Sequence, residues 1–168
     1  ADGINHPGQA DHTTQFERVA EGLRAVHDYL PDGWQMFTEH KPYEPAFYSS
    51  VNNDWGTSLL LAQGTGDRAK CLVDLGHHLP NTNIEQVVSR LAMVGRLGGF
   101  HFNDSKYGDD DLTVGSITPF QLFLIVGDPF VVVVAHFSEH CQRHLRDRQQ
   151  ALLLRSDADA RQRMAMHD

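Results

Sequence analysis

Chemistry-bearing residues are concentrated in one stretch, GGFHFNDSKYGDDDLTVGS, which runs from Gly98 to Ser116. It begins with small and apolar residues that predict a short buried strand, with His101 near its end and glycines that permit close approach of another backbone. A polar loop follows, and it holds Asp104, Asp109, Asp110 and Asp111. A histidine at a strand end followed by carboxylates suits a divalent cation. The alternative is a solvated acidic loop above a hydrogen-bonded histidine.

Two further predicted strands also end in potential metal ligands, Glu39 and Asp74. Carboxyl ends of parallel strands share one edge of a sheet, so Glu39, Asp74 and His101 are expected to converge. Each has a simpler explanation when taken singly. Glu39 could pair with Lys41, Asp74 could cap a turn, and His101 could be a core histidine. Taken together they favour a metal site, because gathered carboxylates repel one another and are costly to desolvate unless a cation is present.

A second group of candidate ligands adjoins the first. His77 follows Asp74 by three positions, and Asp109 and Asp111 alternate along the loop. In an extended loop both aspartates point inward and Asp110 points outward. These residues suffice for two sites that share a carboxylate. Mixed carboxylate and imidazole ligation favours Mn²⁺, Mg²⁺ or Co²⁺, and Zn²⁺ remains open.

The elements that must position these residues follow from hydrophobic periodicity, which predicts helices and strands in strict alternation. The predicted helices cover 14–30, 55–63, 84–94 and 119–126, and the predicted strands are Trp34–His40, Cys71–Leu75 and Phe100–Phe102. Thr14 and Glu17 have capping-box spacing, Asn53 or Asp54 can cap the second helix, and Asn83 can cap the third. Alternation of this kind is typical of an α/β fold with a parallel sheet or barrel.

Composition excludes several classes of protein. The chain has 168 residues and a formal net charge of −8, which argues against a nucleic-acid binder with a basic face. No apolar run approaches the roughly 20 residues needed to span a bilayer. Cys71 is expected to be buried and free, and two cysteines without a paired motif fit a reducing cytosol. The polar start lacks a signal peptide and Ala1 is not an initiator Met, so we expect a cytoplasmic protein that is processed or a piece of a longer chain.

Three segments together resemble L-rhamnose isomerase, the bacterial type with broad aldose specificity: EHKPYEP at Glu39–Pro45, LVDLGHHLPNTNIEQ at Leu72–Gln86, and the stretch Gly98–Ser116. The resemblance runs from about residue 1 to residue 125. It implies a xylose-isomerase-like (β/α)₈ TIM barrel, of which this chain offers about three βα units. A complete barrel takes on the order of 250 residues.

The resemblance also implies roles for individual residues. The family's structural metal is held by residues matching Glu39, Asp74 and His101 and by one further Asp. Its catalytic metal shares Glu39 and adds the counterparts of His77, Asp109 and Asp111, while Lys41 lies near the substrate oxygens. Two cations, Mn²⁺ by preference, then hold O1 and O2 of an open-chain sugar while hydrogen moves between C1 and C2. The expected reaction is the interconversion of L-rhamnose and L-rhamnulose or related sugars in a homotetramer.

The remainder of the chain departs from this pattern, and two alternative functions stay open. The family's early strands and the fourth Asp of the structural site have no counterpart here, so a catalytically inactive fragment that at most binds metal is the main alternative. Residues 1–126 are expected to form the partial barrel, and 127–168 a divergent tail, mostly helical or poorly ordered, from a shifted reading frame or an unrelated junction. A third candidate is a tail metalloprotease, since His136 to His140 match H-x-x-E-H.

Overall fold

The computed structural model describes residues 11–42, 50–107 and 110–127. The predicted alternation of helices and strands is confirmed over this part of the chain. The elements are α1 (His12–Asp28), β1 (Met36–Glu39), α2 (Trp55–Thr65), β2 (Ala69–Asp74), α3 (Ile84–Met93), β3 (Leu97–His101) and α4 (Pro119–Gly127). The predicted tail beyond Gly127, with its metalloprotease motif, lies outside the described residues, and so does Asp109.

The three strands form one parallel sheet in the order β1-β2-β3. Thr38 pairs with Cys71, Glu39 with Leu72, and Asp74 with His101, with an irregularity in the β2–β3 register between Cys71 and Leu72. Because side chains alternate along each strand, Thr38 and Cys71 lie on one face, whereas Glu39, Asp74 and His101 lie on the other. The predicted α/β class with parallel strands is therefore confirmed.

Helix α2 packs against β1 and β2 and buries one face of the sheet. Ala69, Cys71 and Val73 of β2 are at most 1% exposed on this face. The Ser58 hydroxyl of α2 donates to the Thr38 carbonyl at 2.9 Å, so the polar groups of this interface are paired. Cys71 is free and buried as predicted, and burial raises the pKa of its thiol. Helix α3 contacts both β3 and α4.

The opposite face of the sheet is only partly covered within the described part of the chain. Phe37 is 45% exposed there, and Lys70 and Leu72 are half-buried. Gly98 of β3 meets these side chains closely, since an added Cβ would lie 2.7 Å from Lys70 Cβ and from Phe37 Cε1. The close approach predicted for this glycine is thus to side chains rather than to another backbone. Parallel sheets are normally covered on both faces, so this face is unusual.

Three helix starts are set by short polar side chains. The Asp11 carboxylate accepts the Thr14 N–H at 3.1 Å and begins α1, so the predicted capping box at Thr14 and Glu17 is wrong. A carboxylate at the N-cap satisfies an unpaired amide and also meets the positive end of the helix dipole. Asp54 caps α2 and Asn83 caps α3, as predicted.

Two arginines donate hydrogen bonds to backbone carbonyl groups at and after the ends of helices. Arg68 donates to the carbonyls of His27, Leu30 and Pro31 after α1, each at 3.0 Å. Arg96 donates to the carbonyls of Gly66 and Ala69 after α2, at 2.6 and 2.8 Å. Each arginine precedes a strand, so it ties that strand to the end of an earlier helix.

None of the four described helices combines the length and the hydrophobicity needed to cross a bilayer.

Replacing Arg96 with Met is expected to lower the free energy of unfolding by about 2 kcal/mol, because charged donors to the Gly66 and Ala69 carbonyls are lost. Urea unfolding followed by circular dichroism measures the change. Asp67→Asn is the matched control, since the Asp67 carboxylate lies 3.9 Å from Arg96 Nη2 but is fully exposed and should contribute little. Equal stability of the Arg96→Met variant and the unaltered chain would contradict this role.

Candidate metal centre

Three strand ends bring three of the predicted ligands together. Glu39 ends β1, Asp74 ends β2 and His101 ends β3. The Nδ1 atom of His101 lies 3.2 Å from Glu39 Oε1 and 3.1 Å from Asp74 Oδ2. The side chain of Asp74 is 4% exposed, that of Glu39 34% and that of His101 55%. His101 is therefore not a core histidine, and the group combines a buried carboxylate with a more exposed carboxylate and imidazole.

His77 approaches the same two carboxylates from the turn that follows β2. Its Nδ1 lies 3.3 Å from Glu39 Oε1, and its Nε2 lies 3.9 Å from Asp74 Oδ2. One donor atom from each of Glu39, Asp74 and His77 lies within 4.8 Å of the other two. Glu39 Oε1 is thus close to both imidazoles, which is the arrangement expected of a carboxylate shared between two sites.

A backbone carbonyl sets the tautomer of His77. The Nδ1 atom lies 3.1 Å from the carbonyl oxygen of His40, which can only accept a hydrogen bond. The neutral ring therefore carries its proton on Nδ1 and keeps the lone pair on Nε2. Imidazoles that bind metals commonly donate their second nitrogen to a carbonyl or carboxylate in this way. His77 is oriented to offer Nε2 to a cation.

The two oxygens of Asp74 have separate partners. Oδ1 accepts the Gly76 N–H and the Asn103 amide, both at 2.9 Å, so Asp74 caps the turn after β2. Oδ2 faces His101 and the interior of the group. Capping and metal binding are therefore compatible at this residue, because each uses a different oxygen. The donor set of two carboxylates and two imidazoles fits a divalent cation, which would offset the repulsion between Asp74 and Glu39.

Asp111 reaches this region through a different geometry from the one predicted. Its backbone φ is 48°, so the loop is not extended there, and the expectation of simple alternation is wrong at this position. Asn103 Nδ2 lies 3.0 Å from Asp111 Oδ1 and thereby links the loop to Asp74. Asp110 turns towards its own loop instead of outward, since its Oδ2 accepts the backbone N–H groups of Lys106 and Tyr107.

Lys41 lies two residues past Glu39 and is half-buried. Its backbone N–H donates to the Asn52 carbonyl at 3.0 Å, while the Asn52 amide donates to the Glu39 carbonyl at 2.9 Å. The segment after β1 is therefore fixed against the segment that leads into α2. The role of the Lys41 ammonium group near a substrate stays a prediction.

Two further imidazoles, those of the buried His40 and the half-buried His78, lie beside the candidate ligands. The rings of His40 and His78 meet edge to face with centroids 4.6 Å apart. Burial lowers the pKa of His40 to about 4, with a further contribution from His77. Burial lowers the pKa of His78 to about 3, with His40 adding to it. Both rings are neutral at pH 7 and add no positive charge that would compete with a cation.

Asp104 stands apart from the other loop carboxylates because its role is structural. It is 4% exposed, and its oxygens accept the backbone N–H groups of Ile117 and Thr118 and the Thr118 hydroxyl. It also pairs with Leu112 in an antiparallel bridge that closes the loop. Sequence reasoning missed this role. The helix predicted from residue 119 was its only signal, and nothing in the pattern connected the start of that helix to Asp104.

The charge of Asp104 should make stability depend on acid pH. Burial alone would raise its pKa, but the hydrogen bonds from Thr118 and Ile117 hold that pKa below the ordinary value of 3.8. Its stabilisation is therefore present above about pH 4 and is lost as the pH falls through the lower, folded-state pKa. We expect Asp104→Asn to lower the free energy of unfolding by about 2 kcal/mol at pH 7, and expect the difference to shrink below pH 4.

Urea titrations of the Asp104→Asn variant and the unaltered chain between pH 3 and pH 7 measure this difference. Asp32→Asn provides a control, because Asp32 is an exposed residue in the turn before β1. A difference that stays constant across the range would exclude a charge-dependent contribution from Asp104.

Comparison with known proteins gives two close relatives and no matching family model. The chain is 60% identical over 127 residues to a protein of Rhizobium meliloti named probable sugar isomerase. It is 61% identical over 127 residues to a protein of Mesorhizobium japonicum with the same name. Each match covers 76% of this chain and 30% of the relative, so the chain matches about a third of the length of these proteins. Neither name specifies a sugar or a metal.

Proposed function

We propose that this chain is the metal-binding part of a sugar isomerase that interconverts an aldose and its ketose. The observation that carries the proposal is the convergence of Glu39, Asp74, His77 and His101 at the carboxyl edge of a parallel sheet. A buried and an exposed carboxylate, together with oriented imidazoles, are suited to a divalent cation rather than to general acid–base chemistry alone. The similarity to two probable sugar isomerases supports the choice of reaction.

The proposed architecture is part of a xylose-isomerase-like (β/α)₈ barrel. Three parallel strands with intervening helices are what three βα units of such a barrel would contribute. The partly covered sheet face that carries Phe37, Lys70 and Leu72 would become the barrel interior. Candidate ligands at the carboxyl ends of barrel strands also match the place where barrel enzymes have their active sites.

The proposed metal sites divide the ligands as follows. Glu39, Asp74 and His101 would hold one cation, and Glu39, His77 and Asp111, with Asp109 from outside the described residues, would hold a second. Mn²⁺ is the preferred ion, with Mg²⁺, Co²⁺ and Zn²⁺ as alternatives. When bound, the cations would supply Lewis acidity to the sugar oxygens O1 and O2.

The chain's own residues contribute orientation and charge. The His40 carbonyl keeps the His77 proton on Nδ1, and Asn52 fixes the backbone around Glu39 and Lys41. The Lys41 ammonium group, which we place near the sugar oxygens, would stabilise negative charge that develops there. L-rhamnose and L-rhamnulose are the proposed pair, in a cytoplasmic homotetramer.

The metal proposal is tested by titrating the metal-free chain with Mn²⁺ in a calorimeter and by electron paramagnetic resonance of the bound ion. Asp74→Asn should weaken Mn²⁺ binding by about tenfold or more, because the inner oxygen loses its charge. Asp32→Asn makes the same change of charge at a position away from the site, so it should leave the Mn²⁺ affinity unaltered. A chain that takes up no Mn²⁺, or an Asp74→Asn variant with full affinity, would contradict the proposal.

The reaction is tested by incubating the purified chain with L-rhamnose and Mn²⁺ and measuring the ketose. Turnover that is abolished by a chelator and restored by Mn²⁺ supports the isomerase and excludes the inactive fragment. The inactive fragment is favoured by one observation, the 30% share of each relative that the chain matches. Mn²⁺ binding without any turnover would support that second candidate for the isolated chain.

A further inference from the structure

Asn103 connects the strand ends to the acidic loop. It lies two residues beyond β3, and its Nδ2 is 2.9 Å from Asp74 Oδ1 and 3.0 Å from Asp111 Oδ1. A primary amide carries two hydrogens on one nitrogen, so Asn103 can donate to both carboxylates at once. The flipped amide would set its carbonyl oxygen against two carboxylate oxygens. The chemistry of the partners therefore fixes the orientation of the amide.

Gly76 leaves the room that this amide occupies. A Cβ at position 76 would lie 2.9 Å from Asn103 Oδ1, an atom that is buried without a hydrogen-bond partner among the described residues. The contact is with the end of a side chain, so a larger residue at 76 would displace Asn103 rather than the backbone. The Gly76 N–H also donates to Asp74 Oδ1 at 2.9 Å. Asp74 thus keeps one donor on that oxygen even without Asn103.

Asp111 depends on tertiary contacts for its position. Its φ of 48° lies in the left-handed region, which side chains with a Cβ seldom occupy. Such conformations persist where the surrounding structure holds them. The bridge between Asp104 and Leu112 closes the loop on one side of Asp111, and the Asn103 amide restrains its carboxylate on the other.

We propose that Asn103 is a positioning residue whose amide ties the Asp111 carboxylate to Asp74, so that both face the same cation-binding region. Gly76 contributes to the same arrangement, because a residue without a side chain leaves room for the Asn103 amide. Two carboxylates of like charge are held near one another by a single neutral donor. The effect of Asn103 on cation binding rests on the proposed function, whereas the link from Asp74 through Asn103 to Asp111 is a property of the chain without metal.

The tie is tested first without metal, by nuclear magnetic resonance of the Asn103 side-chain amide. Asp111→Ala should shift this signal and speed its exchange with water, since one acceptor is lost. Asp111→Asn keeps an oxygen acceptor and tolerates the left-handed conformation, so the signal should stay close to its original position. An unchanged signal in Asp111→Ala would overturn the tie.

The consequence for the cation is tested by a double-mutant cycle on Mn²⁺ affinity. Asn103→Ala should weaken binding about tenfold in the unaltered chain and less than twofold in the Asp111→Ala background. Losses that simply multiply would show that Asn103 acts independently of Asp111, and would overturn its positioning role.

Gly76→Ala gives a second route to the same result, because it moves the amide without altering a carboxylate. It should weaken Mn²⁺ binding in the unaltered chain and have no further effect in Asn103→Ala, while circular dichroism shows the fold intact. Unaltered Mn²⁺ affinity in Gly76→Ala would contradict the proposed role of Gly76 and Asn103. If the unaltered chain binds no Mn²⁺, the proposed function fails, and the amide signal alone decides whether the tie exists.

Discussion

Parallel pairing of three short strands is the constraint on which the rest of this structure depends. It brings the last residues of β1, β2 and β3 to one edge, and the alternation of side chains places Glu39, Asp74 and His101 on one face. A register slip of one residue in any strand would turn its ligand towards the face buried by α2. The helices therefore matter to the site indirectly, because their packing fixes which face each strand end presents.

The electrostatic cost of the site is divided among several partners. Asp74 is almost fully buried and lies in the same cluster as Glu39, which is unfavourable for two negative groups. Two amide donors satisfy one oxygen of Asp74, and two imidazoles face the remaining oxygens. The same contacts leave His77 Nε2 and the inner oxygen of Asp74, which lie 3.9 Å apart, available to bind cations. The contacts that stabilise Asp74 and His77 are therefore compatible with cation binding.

The aspartates of the loop after β3 have different structural roles. Asp104 is buried among backbone donors and holds the start of α4, Asp110 shapes a turn within the loop, and Asp111 is linked to the strand ends by Asn103. Their roles differ because their surroundings differ, although they stand within eight positions of one another in the sequence. A cluster of acidic residues is consequently a poor guide to which member meets a ligand.

The sequence by itself determined the order of the elements and the candidate ligands at the strand ends. Periodicity reports which residues are buried, and strand ends in a parallel sheet share one edge whatever the details of packing. Only the tertiary structure decided the tautomer of His77, the turn conformation at Asp111 and the different roles of Asp104 and Asp111. Those features depend on contacts between residues distant in the chain, such as Asp74 with Asn103 and His77 with His40. A linear pattern does not encode these distances, because they arise only when the strands have paired and the loops have closed.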